Sequence, residues 1–283
     1  MIELKNISYS YSDSGSDSSA ALKNVSLSIK KGEFIGIAGH TGSGKTTIAQ
    51  ILAGLINPIE GQIFINGEEI SDYKEAARAL RKMVGIVFQY PEHQLFEETV
   101  YKDIAFGPRN QGFSEEEIDK AVRESAALVH LKEENFDKSP FELSGGQKRR
   151  VAIAGVIATR PSVLILDEPA AGLDPAGREK LLRELHRIRR ENGTTIILIS
   201  HSMEDLAQNT ERIILLNDGE KYKDASSKEV FTDSSLLEKC GLQIPEITEI
   251  IKLLNLGGMN IAENLFTVEE VCDAIVKSTE VGK

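Results

Sequence analysis

The sequence predicts an α/β fold, in which a parallel sheet carries helices on both faces. A short apolar run at 34–38 leads directly into a glycine-rich loop, and a helical pattern at 48–55 follows that loop. Later in the chain, strand-sized apolar runs alternate with helical patterns: strands at 163–167, 194–200 and 212–216, helices at about 176–191 and 203–208. Alternation of this kind is typical of strands joined by crossover helices.

Strand patterns also occupy the N-terminal segment. Apolar side chains alternate with polar ones at 2–11 and recur at 22–29, which predicts two strands with one buried face each. The Ser-rich stretch 12–20 between them predicts a flexible hairpin tip, and 61–67 predicts a further strand. We therefore expect extra strands beside the main sheet.

A mostly helical and charged stretch, from about 71 to 139, interrupts the alternation. This predicts a helical subdomain inserted between two halves of one core. Short amphipathic patterns at 246–256 and 268–277 predict a small helical tail. The expected organisation is a nucleotide-binding domain at 1–232, containing the helical subdomain at about 90–160, and a C-terminal helical extension at 233–283.

Composition limits the possible functions. The 283 residues carry a net charge of −11, which argues against a general nucleic-acid binder. No apolar run approaches the roughly 18 residues of a membrane span, and the N-terminus does not resemble a secretory signal. Any membrane association is therefore expected to be peripheral, through a partner. Cys240 and Cys272 have no metal-binding or redox spacing and are expected to be free thiols.

The glycine-rich loop Gly-His-Thr-Gly-Ser-Gly-Lys-Thr at 39–46 has the composition of a phosphate-binding loop. Its glycines let backbone N–H groups turn towards phosphates, and the helix behind adds a favourable dipole. Lys45 is expected to reach the β- and γ-phosphates, and Thr46 to bind Mg²⁺. The expected ATP contacts here are His40, Thr41, Gly42, Ser43, Gly44, Lys45, Thr46 and Thr47.

Two acidic residues follow a buried apolar run at 163–166. A strand would deliver Asp167 and Glu168 at its carboxyl end, where ligands bind in open α/β sheets. We expect Asp167 to hold Mg²⁺, directly or through water, and Glu168 to act as the general base on the attacking water.

Two further polar residues follow strands. Gln89 comes after the run at 84–88, where an amide could touch Mg²⁺ or the attacking water, and His201 ends the strand at 194–200. Each would be unremarkable alone. Their position among the other segments predicts catalytic contacts, including a γ-phosphate contact for His201.

The run Leu-Ser-Gly-Gly-Gln at 143–147 opens a helix and offers a second phosphate surface. One chain does not need two such surfaces for one nucleotide, whereas two chains facing each other do. The basic residues at 148–150 are expected to help hold phosphate or to face solvent. The expected ATP contacts in this segment are Ser144, Gly145, Gly146 and Gln147.

These segments, in this order, resemble the ABC ATPase family over about residues 1–232. The resemblance implies a P-loop NTPase core with a RecA-like mixed sheet, an antiparallel β subdomain and an inserted helical subdomain. It also implies a head-to-tail dimer that holds two ATP molecules, each between one chain's phosphate loop and the other chain's 143–147 segment. Asp174 matches the D-loop that links the sites. Tyr11 matches the aromatic residue that stacks on adenine, a role for which Tyr9 is the weaker candidate.

Within that family, the chain lacks the long coiled coils of chromosome ATPases and the second cassette of translation factors, which leaves a transporter motor. The run Pro-Glu-His-Gln-Leu-Phe-Glu-Glu-Thr-Val at 91–100 is similar to the second of the two paralogous A subunits of energy-coupling factor transporters. Such transporters import vitamins or transition-metal ions. The competing hypothesis is a soluble ABC ATPase with a regulatory or nucleic-acid-linked role.

The resemblance implies particular partners. One is a related paralogue, favoured over a second copy of this chain, and no nucleic acid is expected. Others are a separate substrate-binding membrane subunit and an integral-membrane coupling subunit, which places the chain on the cytoplasmic face of the membrane. We expect the coupling subunit to dock near Tyr90, His93, Leu95 and Phe96, with the alternative that Leu95 and Phe96 form local core.

Overall fold

The computed structural model describes residues 1–11 and 20–281, so the predicted hairpin tip lies almost wholly outside the described residues. Its strands are β1 (Ile2–Tyr9), β2 (Leu22–Ile29), β3 (Phe34–Ala38), β4 (Glu60–Ile65), β5 (Glu68–Glu69), β6 (Val84–Val87), β7 (Val163–Asp167), β8 (Thr195–Ile199), β9 (Arg212–Asn217) and β10 (Glu220–Ser226). Its helices are α1 (Lys45–Leu52), α2 (Tyr73–Met83), α3 (Val100–Asn110), α4 (Glu115–Leu128), α5 (Gly145–Ala158), α6 (Pro175–Asn192), α7 (Met203–Asn209), α8 (Ser227–Thr232), α9 (Ser234–Lys239), α10 (Glu246–Leu256) and α11 (Val268–Val281).

The main sheet has the order β10-β9-β3-β8-β7-β6. All its pairings are parallel except that of β9 with β10, so the sheet is mixed, as predicted. The sequence pattern missed β10, because its burial follows no clean alternation and its side chains are mostly charged or polar. The other four strands form an antiparallel sheet of order β2-β1-β4-β5.

Two hydrophobic clusters cover the two faces of the main sheet. Along β8, Ile196 and Leu198 belong to one cluster and Ile197 and Ile199 to the other, as expected for side chains that alternate across a strand. The first cluster joins the sheet to α3, α4, α5 and α6. The second joins it to the antiparallel sheet, α1 and α2. Burial of each Leu or Ile contributes about 1.5–3 kcal/mol, so these clusters fix the sheet edge that carries the site.

The C-terminal helices have a small cluster of their own. Ile251, Ile261 and Val271 are its buried members. Phe266 belongs instead to the first main cluster, where its ring centroid lies 5.9 Å from that of Phe231. Within the described ranges, no helix is long and apolar enough to cross a membrane.

Candidate nucleotide-binding site

The phosphate loop turns the chain from β3 into α1. Gly44 has a left-handed φ of 101°, and a Cβ at this position would lie 2.7 Å from the carbonyl oxygen of Ala21. A side chain is therefore excluded on both conformational and steric grounds. The turn lets α1 begin at Lys45, earlier than the predicted 48, so the helix N-terminus lies directly behind the loop.

Lys45 lies inside the loop. Its Nζ donates hydrogen bonds to the carbonyl oxygens of Gly39 at 2.7 Å and of His40 at 2.8 Å. Burial lowers the pKa of Lys45, and the nearby charges of Glu168 and Asp167 oppose that change. The ammonium group is thus held where phosphate oxygens can replace the two carbonyls.

Ser43 provides an independent test of whether the loop fits a phosphate. Its side chain is fully buried, and its Oγ has no hydrogen-bond partner. Buried hydroxyl groups are normally satisfied. An orphaned donor beside the Lys45 ammonium and a helix N-terminus fits a bound anion.

Thr46 and Asp167, the two residues expected to bind Mg²⁺, lie in direct contact. The Thr46 hydroxyl donates a hydrogen bond of 2.9 Å to Asp167 Oδ2. Burial raises the pKa of Asp167, while the bond from Thr46 and the charge of Lys45 oppose that rise. A hydroxyl and a carboxylate are the hard oxygen donors that Mg²⁺ prefers, so these residues fit the ion.

Gln89 lies at the same edge of the sheet. Among the described residues, no hydrogen bond joins its side chain to Thr46 or Asp167. Val87 pairs with Leu166, so the chain leaves β6 beside the carboxyl end of β7. The Gln89 side chain is exposed, and its contact with metal or water stays a prediction.

Glu168 has the environment of a general base. Its backbone is left-handed, with φ of 53°, and its Oε1 is buried without a hydrogen-bond partner. His201 Nε2 lies 3.6 Å from that oxygen. Burial, and then the charge of Asp167, raise the pKa of Glu168 to about 7, whereas burial lowers the pKa of His201. A carboxyl group with a pKa near neutrality is suited to proton transfer.

An aromatic ring stands beside the loop. Tyr11 Oη contacts Thr47 Oγ1 and Gln50 Oε1, each at 3.1 Å, and the ring is 66% exposed. The ring centroid of Tyr9 lies 5.0 Å from that of Tyr11, in an edge-to-face arrangement. The exposed ring makes Tyr11 the better placed of the two for a base; stacking itself stays a prediction.

The segment 143–147 starts α5 as expected. Ser144 and Gln147 form a reciprocal capping box, in which the Gln147 side chain also accepts the Ser144 hydroxyl. Gly145 and Gly146 are exposed, with open space where a Cβ would lie. No hydrogen bond within the described part of the chain joins this segment to the phosphate loop. That separation agrees with a phosphate surface that serves another chain.

Asp174 caps α6. Its Oδ1 accepts a hydrogen bond of 2.7 Å from the Gly177 N–H, and the residue is exposed. The structure thus places it at the surface beyond Glu168, and its expected role between two chains stays a prediction.

The expectation for Arg149 was wrong. It does not face solvent or an open phosphate surface, because its side chain is buried and pairs with Glu92. A signal was present in the sequence. Positions 149, 153 and 157 are four residues apart, the spacing of one helix face, and Ile153 and Ile157 are buried.

Of the four residues expected at the partner surface, three are exposed and one is buried. Leu95 is 8% exposed and belongs to the first hydrophobic cluster, so it forms local core and was wrongly assigned to the surface. Tyr90 and Phe96 are 45% and 59% exposed, and His93 is exposed too. The reason is that the chain leaves the short 3₁₀ helix Pro91–Gln94 in an extended conformation at Leu95, so the next two side chains point to opposite sides.

A second polar link escaped the sequence pattern. Arg178 donates to the buried carboxylate of Asp205 at 2.7 Å and also to the Ser202 hydroxyl. It ties the start of α6 to the segment after His201. The residues are at least 24 positions apart, so no local signal could have found this link.

The comparisons with known proteins agree with this geometry. A family model described as "ABC transporter" matches residues 22–171. The chain belongs to the ABC transporter family. An "Energy-coupling factor transporter ATP-binding protein EcfA2" from Clostridium perfringens is 50% identical over 277 residues, which cover 98% of this chain and 97% of the relative. A protein of the same description from Clostridium acetobutylicum is 48% identical, covering 100% and 99%.

Solved structures of ABC transporter ATPases have the same fold. The structure of cbiO1 from Clostridium perfringens, described as part of the transporter complex cbiONQ, has a TM-score of 0.74 and 36% identity, covering 89% of this chain and 98% of that one. The ATP-binding cassette MJ0796, solved as a dimer with ADP and phosphate, has a TM-score of 0.70 and 33% identity, covering 80% and 99%. The predicted family, fold class and resemblance to the second A-type subunit are confirmed.

Proposed function

We propose that this chain is the ATP-hydrolysing motor subunit of an energy-coupling factor importer for vitamins or transition-metal ions. The observation that carries the proposal is the meeting of Lys45, Thr46, Asp167 and Glu168 at one edge of the main sheet. Binding, metal and base functions there come from two segments far apart in sequence. The family to which the chain belongs assigns this constellation to ATP.

Each residue has a definite task in hydrolysis. Lys45 and the loop N–H groups hold the phosphates, while Thr46 and Asp167 would hold Mg²⁺. When bound, the ion would neutralise charge that develops on the phosphate oxygens. Glu168 takes a proton from the attacking water, and His201, 3.6 Å from its carboxylate, is placed to contact the γ-phosphate side.

We infer that the complete site needs a second chain. Among the described residues, nothing lies within 4 Å of a Cβ built at Gly145 or Gly146, so this surface is open to a second chain. A head-to-tail dimer brings it against the partner's nucleotide, and closure on ATP followed by opening after hydrolysis supplies the working stroke. The similarity of 91–100 to one of two paralogous subunits favours a heterodimer.

The membrane partner has a candidate docking surface. Phe96 and Phe106 are both exposed and pack edge to face, with ring centroids 4.8 Å apart. Beside them lies a cavity of about 280 Å³ whose lining includes Gln94, Phe106 and Gly155. Exposed aromatic groups beside a groove are typical of a protein-binding site, and a coupling helix of a membrane subunit is the occupant we propose. With such a partner, we expect the chain to lie at the cytoplasmic face of the membrane.

The test is purification of the intact assembly from a detergent extract, with identification of its subunits. We expect a related ATPase, a multi-helix coupling subunit and a separate substrate-binding membrane protein, together with ATP hydrolysis. Recovery with ribosomes or DNA alone would contradict the transporter function and favour the regulatory alternative.

A further inference from the structure

Arg149 connects three segments of the site through one buried guanidinium group. Its Nε and one Nη donate to the two carboxylate oxygens of Glu92, at 3.1 and 3.0 Å. Its other Nη donates to the carbonyl oxygens of Pro169 and Ala171, at 3.3 and 2.7 Å. The side chain is 7% exposed, so the group is both paired and shielded from solvent.

The inner contacts hold the turn that carries Glu168. Pro169 follows Glu168 directly, and the Ala171 N–H donates to the Glu168 carbonyl oxygen at 3.2 Å. Glu168 has a left-handed backbone, a conformation that costs a non-glycine residue free energy and persists only when the surroundings impose it. Arg149 is one of those surroundings, because it grips the turn at two carbonyl oxygens.

The outer contact reaches the segment 90–96, which also carries Phe96 of the proposed docking surface. Glu92 lies in the 3₁₀ helix Pro91–Gln94, between the exposed Tyr90 and His93. Its side chain is 17% exposed and lies at a cavity of about 420 Å³ whose lining includes His93, Phe141 and Lys148. Partial burial opposes ionisation of Glu92, yet the hydrogen bonds and charge of Arg149 keep its pKa below the ordinary value.

We propose that Arg149 is a positioning residue that ties the docking segment 90–96 to the turn bearing Glu168. A displacement of Glu92 by the membrane partner pulls on the guanidinium group and shifts the carbonyl oxygens of Pro169 and Ala171, and with them the Glu168 carboxylate. This proposal rests on the proposed function, because it takes Glu168 as the base and 90–96 as the partner's surface.

Such a link requires the planar guanidinium group of an arginine, whose N–H donors point in several directions. Three of its nitrogens reach two segments at once, whereas a lysine ammonium is a point charge that cannot span them. Arg149→Lys therefore retains a positive charge for Glu92 but loses the simultaneous hold on the turn. Its matched control is Arg189→Lys. Arg189 also pairs with both oxygens of a glutamate, Glu211, and with one carbonyl oxygen, that of Gly32, outside the site.

The first experiment measures steady-state ATP hydrolysis in the purified full complex. Arg149→Lys is expected to lower kcat by about 10- to 100-fold, because it misplaces the base, with KM for ATP within about twofold of wild type. Glu92→Gln is expected to cause a smaller loss, and the double variant no more loss than Arg149→Lys alone, since both changes cut one link. Equal kcat for Arg149→Lys and Arg189→Lys, or additive losses in the double variant, would overturn the proposal.

The second experiment measures amide hydrogen exchange of the peptide covering 168–171, with and without the membrane subunit. Docking is expected to change this exchange in the wild type but not in Arg149→Lys. An unchanged response in the variant would refute the link even if kcat falls. Should Arg149→Lys fail to fold, Glu92→Gln gives the same comparison. A wild-type complex that hydrolyses no ATP would instead contradict the proposed function.

Discussion

The Thr46 hydroxyl and the Asp167 carboxylate are joined by a hydrogen bond of 2.9 Å, although 121 residues separate them in sequence. The bond fixes the end of the phosphate loop against the end of β7. Lys45, the residue before Thr46, and Glu168, the residue after Asp167, are brought together by the same contact. Each then affects the pKa of the other.

Removal of the loop ammonium should weaken nucleotide binding. Lys45→Ala deletes a buried charged donor. Loss of charge-assisted hydrogen bonds to phosphate costs about 1.5–3 kcal/mol, which is roughly a 10- to 150-fold rise in Kd for ATP. Equilibrium binding of a fluorescent ATP analogue measures it. Lys74→Ala, an exposed lysine on α2, is the control and should bind as wild type does. If Lys45→Ala binds ATP with unchanged affinity, the loop at 39–46 does not bind the phosphates.

Gly146→Asp should separate folding from dimer formation. Space is open around a Cβ at Gly146, and an acidic residue in the first turn of a helix is favourable, so we expect unfolding temperature to be unchanged or higher. ATP-driven association should be lost, because the new carboxylate repels the partner chain's phosphates. Light scattering with and without ATP checks this, and persistent ATP-driven association would mean that 143–147 does not face a neighbour's nucleotide.

The stability of the nucleotide-free chain should depend on pH through Glu168. Its pKa is about 7 in the folded protein against an ordinary value of 4.5, so the folded state binds the proton more tightly. Its contribution to stability is therefore present below the ordinary pKa and is lost as pH rises through the folded one. Glu168→Gln removes the buried charge, so its unfolding temperature should exceed that of wild type by more at about pH 8 than at about pH 5. Equal differences at both pH values would contradict the raised pKa.

Leu95 and Phe96 should differ in their effects. Leu95→Ala creates a cavity in the first hydrophobic cluster and is expected to lower the free energy of unfolding by about 2–5 kcal/mol, measured by denaturant titration. Phe96→Glu should leave stability close to wild type, because Phe96 is 59% exposed, but should abolish recovery of the membrane subunit. If that subunit still copurifies with Phe96→Glu, the proposed docking surface is wrong.

The fold and the phosphate segments were predictable because their signals are local. Adjacent residues are enough to recognise a glycine-rich loop between a strand and a helix, or two acidic residues after a buried strand. The start of α1 was misplaced because its first three residues, Lys45, Thr46 and Thr47, are polar and the apolar pattern begins only at Ile48. Strand β10 was missed because a largely polar edge strand has weak periodicity.

The links between segments were not predictable in the same way. Leu95 is core only because α3 and α5 pack around it, and its neighbour Phe96 is not. Arg149 pairs with Glu92, which lies 57 residues away in sequence. The basic run at 148–150 was therefore predicted to hold phosphate or face solvent, although Arg149 is buried. Long-range pairing decides such cases, and it is visible only in the folded chain.

Glu168 is the proposed base for ATP hydrolysis, and the whole mechanism depends on that role. It is tested most directly by phosphate release from the purified complex carrying Glu168→Gln at saturating ATP and Mg²⁺. We expect kcat to fall by about 100-fold or more, the range for loss of a general base, with ATP still bound in a closed dimer. Hydrolysis by Glu168→Gln at the wild-type rate would contradict the account.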